Sequence, residues 1–164
     1  MSAVALKPVS DSAADEEPPA GAVEAIVACA HLHRRGHVMV LGEGSLSLSL
    51  RLWRAGFVHV SCAPRKLDLV AHGAADALII QQVSPAFDLG AAITRSQGAL
   101  RRGGALLIHV MRGAGRAALA DIRARLERAG FSAGAGFADA DGLWLTARRQ
   151  SARPSAHLRV IGRA

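Results

Sequence analysis

The feature that most constrains this chain is a short apolar run that ends in a glycine turn. His37-Val38-Met39-Val40-Leu41 reads as a strand buried on both faces, because a strand with a solvent face would alternate with polar residues. It passes directly into Gly42-Glu43-Gly44, and then into a helical stretch from about Ser47 to Ala55 that Gly56 closes. Two glycines at such a junction permit positive φ and leave no side chain between backbone N–H groups and a ligand. A buried strand, a glycine turn and a helix in that order form the first half of a parallel β-α-β unit.

The rest of the pattern extends that unit. Before it, Val23, Ile26, Val27, Ala30 and His31 recur at helical spacing, with Gly36 as a stop after Arg34-Arg35. After it, Val58, Val60 and Cys62 alternate as a second strand, and Ala77-Leu78-Ile79-Ile80 makes another buried one. Residues 86–101 read as a helix, and Ala105 to Val110 as the next strand. Arg116 to Ala129 is an amphipathic helix with Leu119, Ile122 and Leu126 on one face, and Leu143 to Ala147 is a closing strand. Strands alternating with helices predict an α/β domain with a mostly parallel sheet and helices on both faces. Its expected span is 21–149. Residues 1–20, rich in Ser, Ala, Asp, Glu and Pro, read as a flexible acidic tail. Residues 150–164 read as a basic extension with one strand-like piece, Leu158-Arg159-Val160-Ile161.

Charge divides the same way. Residues 1–24 hold one base against five acids, a net of −4, and the remainder holds 19 bases against 8 acids, a net of +11. A basic body of that kind attracts RNA or another polyanion. Bases pair at Arg34-Arg35, Arg101-Arg102 and Arg148-Arg149, but the chain has no Tyr and little Phe or Trp, so no stacking platform for nucleobases is visible. Cys29 and Cys62, the two cysteines, form no CxxC pair, which argues against a disulfide framework or a thiolate metal site. No apolar run approaches the roughly 20 residues that span a bilayer. The N-terminus lacks a basic stretch followed by an apolar one. The expectation is a cytoplasmic protein with no membrane contact.

Three segments carry a family resemblance. Val38 to Leu50, Leu100-Arg101-Arg102-Gly103-Gly104-Ala105-Leu106-Leu107-Ile108 and Leu126-Glu127-Arg128-Ala129-Gly130-Phe131 resemble, in order and interval, landmarks of class I S-adenosylmethionine (SAM)-dependent methyltransferases. These are the glycine-rich first motif, the L-x-P-G-G-x-L approach to strand five and the L-x-x-A-G-F close of the last helix. The resemblance spans roughly residues 22–149 and implies a Rossmann-like methyltransferase fold. Within it, Gly42-Glu43-Gly44-Ser45-Leu46-Ser47-Leu48-Ser49-Leu50 is similar to the G-E-G-x-F-S-F-S-L opening of methyltransferases that modify a uridine base in large-subunit ribosomal RNA. That family's N-F-P-H segment is replaced here by Gln82-Val83-Ser84-Pro85, after Gln81. The resemblance implies SAM as cofactor, with Gly42, Glu43, Gly44, Ser45, Cys62 and Gln81 at its site and no metal.

The departures are specific. Val40 stands where cofactor-binding members carry an acid two places before the first glycine, and Ser61-Cys62-Ala63 replaces the acid whose carboxylate holds the ribose hydroxyls. Only residues 63–76 separate the second strand from the Ala77 strand, too little for a helix, a strand and their connections. The expectation is therefore a trimmed sheet that lacks the third strand. No catalytic set stands out. His31, His33 and His37 do not share a helix face, Asp139 and Asp141 read as turn residues in a Gly-rich loop, Cys62 as buried filler, and Trp144 as a core anchor. Gln81 and Gln82 follow a strand end, where amides could hold a planar substrate group or merely cap a loop. Two functions stand close together. One is a methyltransferase acting on RNA or an RNA-associated substrate. The other is a non-catalytic subunit that has lost SAM and docks a protein, or a second copy of itself, on the sheet edge left open. A nicotinamide-binding domain ranks below both, since Ser47 stands at the third glycine position.

Overall fold

A computed structural model describes residues 21–42, 44–63, 72–81, 88–113 and 116–150. The element order is α1 (Gly21–Ala30), β1 (His37–Gly42), α2 (Ser45–Arg54), β2 (His59–Ala63), β3 (Ala75–Gln81), α3 (Leu89–Ala99), β4 (Leu100–Met111), α4 (Arg116–Arg128), β5 (Phe131–Ala138) and β6 (Gly142–Arg149). The six strands form one sheet in the order β2-β1-β3-β4-β6-β5. β2, β1, β3 and β4 run parallel, and β6 alone is reversed, pairing antiparallel with β4 on one side and β5 on the other. This is the Rossmann-like α/β architecture expected, and among the described residues no strand pairs with the outer side of β2. Residues 1–20, 64–71 and 151–164 lie outside the described residues, and with them the acidic tail and the Leu158–Ile161 piece.

Strand parity divides the core into two layers. Leu78, Ile80, Leu106, Ile108 and Leu145 face α3 and α4 and pack with Ile93, Ile122 and Leu126. Val38, Val40, Ile79, Leu107 and Trp144 face the other way, against Val23 and Ile26 of α1 and Leu48 and Leu52 of α2. Central residues of both layers are fully buried, which explains why β1 and β3 carry unbroken apolar runs.

Several boundaries differ from the sequence expectation. Leu100 to Gly104 was expected to end a helix, but it belongs to β4, where Leu100 pairs with Ala75. The register then shifts before Ala77 meets Ala105, and Gly103 at φ 75° takes up the shift. α1 ends at Ala30, and His31 adopts φ 49° rather than continuing the helix. Arg148 closes that helix end, its Nη2 donating to the Ala30 carbonyl at 3.0 Å. The segment expected as a Gly-rich loop is mostly strand β5, with Asp139 and Asp141 in the turn to β6.

Gly42 fixes the junction of β1 and β3. It has φ 101°, and a Cβ there would collide with the Gln81 carbonyl oxygen. Gly113 shares that backbone strain, with φ 102°, but nothing lies within 4 Å of its would-be Cβ. Gly113→Ala should cost about 1–2 kcal/mol from backbone conformation alone. Gly42→Ala should cost about 3 kcal/mol or more, because β1 or β3 must also move. Urea unfolding of both variants compares them, and equal losses would remove the role given to the Gln81 contact.

Candidate functional site

In an open α/β sheet, ligands bind beyond the carboxyl ends of the parallel strands. Here that edge is formed by Gly42, Ala63, Gln81 and Met111. Gly42 pairs with Gln81, and since Ile80 pairs with Ile108, the next residues, Gln81 and His109, stand level on neighbouring strands. Gln81 shares the parity of Ala77 and Ile79, and His109 that of Ala105 and Leu107. Both therefore project to the face covered by α1 and α2.

The expected site residues divide. Gly42, Gly44, Ser45 and Gln81 come together. Gly44 caps α2 in a left-handed conformation, φ 73° and ψ 3°, with no side-chain hydrogen bond to the helix. Glycine supplies no side chain to satisfy the first-turn N–H groups of α2, which a ligand at this turn can meet. A Cβ on Gly44 would lie 3.4 Å from Gln81 Nε2, so the Gln81 amide sits beneath the turn. Gln81 is the last residue of β3 and is buried, and the loop that it was expected to contact or cap lies outside the described residues. Ser45 is buried on the inner face of α2. Cys62 pairs with Val40 on the neighbouring strand and is exposed, which corrects its reading as buried filler. An edge strand leaves its end open to solvent. Glu43 and Gln82 to Pro85 lie outside the described residues. Val40 is fully buried, so no acid could occupy that place without a heavy desolvation cost.

Sequence reasoning passed over His109. It is buried, 3% exposed, and stacks on Trp144, its cross-strand neighbour, with ring centroids 4.6 Å apart. Phe137 stacks on the same indole at 5.8 Å. Asp139 ties the hairpin to this stack: it accepts from Trp144 Nε1 at 2.6 Å and from the backbone N–H groups of Gly142 at 2.9 Å and Asp141 at 3.0 Å. The reading of Asp139 as a turn residue holds, with an added contact, since its Oδ1 lies 3.7 Å from His109 Nε2. Within a run of apolar strand residues, a single histidine gives no spacing signal. Only pairing between β4 and β6 reveals its neighbours.

Burial pushes the His109 pKa down, against the upward pull of Asp139 and Asp141, so the ring is neutral near pH 7. Burial alone would raise Asp139, but the donors from Trp144, Gly142 and Asp141, together with His109, hold it below the usual carboxylate range. Among the described residues, both His109 ring nitrogens, Gln81 Oε1 and Ser49 Oγ are buried without a hydrogen-bond partner. Such atoms cost stability unless a ligand or water engages them. They lie on the face that carries the glycine turn. The arrangement can accept a proton at His109 and a hydrogen bond at Gln81.

No protein-family model matches the chain, and no curated protein sequence does. Solved structures with the same fold include SAM-dependent methyltransferases. A candidate SAM-dependent methyltransferase from Methanococcus maripaludis superposes with a TM-score of 0.64 at 12% identity, covering 80% of this chain and 84% of that one. The 1,6-didemethyltoxoflavin N1-methyltransferase of Burkholderia thailandensis, bound to its substrate and S-adenosylhomocysteine, gives 0.57 at 17% identity over 82% and 80%. A ribosomal protein L11 methylase from Lactobacillus delbrueckii subsp. bulgaricus gives 0.58 at 14% identity over 71% of each chain. The chain thus has a class I methyltransferase-like fold.

The pH dependence follows from His109. Its folded-state pKa lies below the ordinary 6.5, so the unfolded chain takes up the proton first. The stability supported by the neutral ring is complete above 6.5 and declines as pH falls below it. His109→Phe keeps the stack on Trp144, removes the titration and removes two buried unpartnered nitrogens. Thermal scans at about pH 7.5 and about pH 5.5 should show a smaller Tm drop on acidification for the variant, with an equal or higher Tm at the lower pH. Identical drops would exclude His109 as the titrating group.

Proposed function

We propose that this chain is a SAM-dependent methyltransferase that holds its cofactor over the Gly42–Gly44 turn and presents its methyl acceptor to Gln81 and His109. The observation that carries the reading is a set of buried atoms without a close hydrogen bond, Gln81 Oε1 and both His109 nitrogens, of which Nε2 has only Asp139 Oδ1 at 3.7 Å, on strand residues level with Gly42. The glycine cradle and the uncapped start of α2 fit a nucleoside-linked cofactor, because backbone there can approach it without a side chain between. SAM bound in that place supplies an electrophilic methyl group. The chain's own work is positional and acid–base. Gln81 Oε1 accepts a hydrogen bond from an N–H or O–H of the acceptor and orients it. The neutral His109 ring takes the proton that the acceptor's nucleophile releases. Asp139, within 4 Å and ionised, then stabilises the imidazolium.

An RNA or RNA-associated acceptor draws support from the basic body. Arg112 lies beside the crevice, directly after Met111, but a larger group of exposed bases lies at the opposite end. Arg34 and Arg35 precede β1, Arg101 and Arg102 open β4, Arg54 ends α2, and Arg148 donates to the Ala30 and Gly103 carbonyls, so all six gather near the amino ends of the parallel strands.

A second reading, a methyltransferase-fold subunit that does not bind SAM, is favoured by one observation: β2 ends in Ser61-Cys62-Ala63, with no carboxylate for ribose hydroxyls. Calorimetric titration with SAM and S-adenosylhomocysteine separates the two. The enzyme reading expects micromolar dissociation constants, and at least a tenfold loss, about 1.4 kcal/mol, in Gly44→Val, whose side chain would press on Gln81. Absence of binding at millimolar ligand would overturn it and leave the subunit reading. For a polyanion, the affinity of a single-stranded RNA oligonucleotide should fall linearly on a log–log plot against salt, and a salt-independent affinity would remove the electrostatic account.

A further inference from the structure

We infer that two copies of this chain assemble about a two-fold axis, joining their β2 edges and the apolar flanks of their α2 helices. Four of the five large hydrophobic residues exposed among the described residues lie in one place: Leu46 at 60%, Leu50 at 40%, Trp53 at 49% and Val58 at 66%. Leu46, Leu50 and Trp53 recur at i, i+4 and i+7 and so form a stripe along α2. The buried face of α2 is Ser45, Leu48, Ser49 and Leu52. At 3.6 residues per turn, the stripe is rotated about 115° from that face, in the direction in which the helix winds. The β1-α2-β2 crossover is right-handed, as such connections are. With the sheet behind α2 and its strands pointing up, β2 lies to the right of β1, and that rotation turns the stripe rightward, past β2. The stripe thus overhangs the open edge of the sheet.

The two edges of the sheet are unlike. At β5, the register shifts between Ala133 and Gly136, a distortion that blunts an edge against pairing. β2 runs in unbroken register with β1 from His59 to Ala63 and contains no Lys, Arg, Asp, Glu or Pro. Within its five residues it carries no charge, proline or bulge to keep it from pairing, and among the described residues no strand pairs with its outer side. The occupant that fits both features at once is a second copy. A dyad perpendicular to the sheet pairs β2 antiparallel with its twin and sets the two α2 helices side by side on one face, stripe against stripe. Arg51 projects from the opposite flank of α2, and Arg54 borders the stripe at the end of the helix. The stripe and Val58 present roughly 400 Å² of apolar surface per copy. With the β2 edge and its rim, that approaches the about 800 Å² per partner of a stable interface.

The antiparallel edge pairing has a consequence for the site, which rests on the methyltransferase reading. It brings the amino end of one copy alongside the carboxyl end of the other. Arg34, Arg35 and Arg54 of the second copy then approach the crevice end of the first, adding to its own Arg112.

Sedimentation equilibrium on the full chain, across micromolar to sub-millimolar concentrations, tests the assembly. The expected result is a dimer that Leu50→Lys/Trp53→Lys converts to a monomer. Both positions are exposed, and lysine suits the C-terminal half of a helix, so circular dichroism and Tm should hold. Amide hydrogen exchange over His59–Ala63 should be slower in the dimer than in the variant. A wild-type monomer at the highest concentration would overturn the inference, as would a variant that stays dimeric. β2 amides that stay protected in a monomer but lose protection on truncation after Gln150 would assign the edge to the chain's own C-terminal segment instead. Titration of the same variant with S-adenosylhomocysteine keeps the two questions apart: unchanged cofactor affinity in a monomeric variant supports the interface as a separate feature, and a dimer that binds no cofactor overturns only the statement about the crevice.

Discussion

The close approach of Gly42 to the carbonyl of Gln81 organises this molecule. Because Gly42 has no Cβ, β1 and β3 stay in parallel register to their last residues, and the turn to α2 folds directly over the end of β3. That register sets Gln81 level with Gly42 and, one strand further, His109 level with Gln81. Strand parity then aims both polar side chains into the layer beneath α1 and α2. A side chain at position 42 would separate the strands at the point where the crevice begins.

The same geometry explains how polar groups come to be buried in an apolar layer. Val40, Ile79 and Leu107 fill the middle of the face, and the next residue of like parity on each strand is Gly42, Gln81 or His109. The layer turns polar one step from its end on β3 and β4, beside the bare backbone of Gly42 on β1. Asp139 holds the far side by tying the β5–β6 turn to the indole of Trp144, so the wall facing His109 is a hydrogen-bonded hairpin. A stabilised hairpin beside unsatisfied nitrogens is a place where folding free energy is given up locally and supported by a rigid neighbour.

Much of the fold was legible in the sequence, because the signals were local. The apolar runs of β1, β3 and β4 and the period of α4 report burial on two faces or one, and Gly42 and Gly44 report a turn. The short interval after β2 predicts a trimmed sheet, and among the described residues no strand pairs with the outer side of β2. What escaped depended on pairing. Phe131-Ser132-Ala133-Gly134-Ala135-Gly136 has small residues and no alternation, and it becomes a strand only because β6 lies beside it. Arg101 to Gly104 reads as a helix end until Leu100 is seen against Ala75. His109 could be singled out only once β6 placed Trp144 opposite it, and the α2 stripe mattered only once β2 proved to be an edge.

The stacking of Trp144 between His109 and Phe137 also gives the molecule an intrinsic optical readout. The chain has two tryptophans and no tyrosine, so all emission excited near 295 nm, roughly the indole absorption edge, comes from Trp53 and Trp144. Trp53 is half exposed at the overhanging edge and emits to the red, in contact with solvent dipoles. Trp144 is buried, emits to the blue, and lies against an imidazole whose protonated form quenches indole fluorescence by accepting an electron. Their contributions overlap in one spectrum, the red side weighted toward what covers the edge of the sheet and the blue side toward the charge state of the ring beside the crevice.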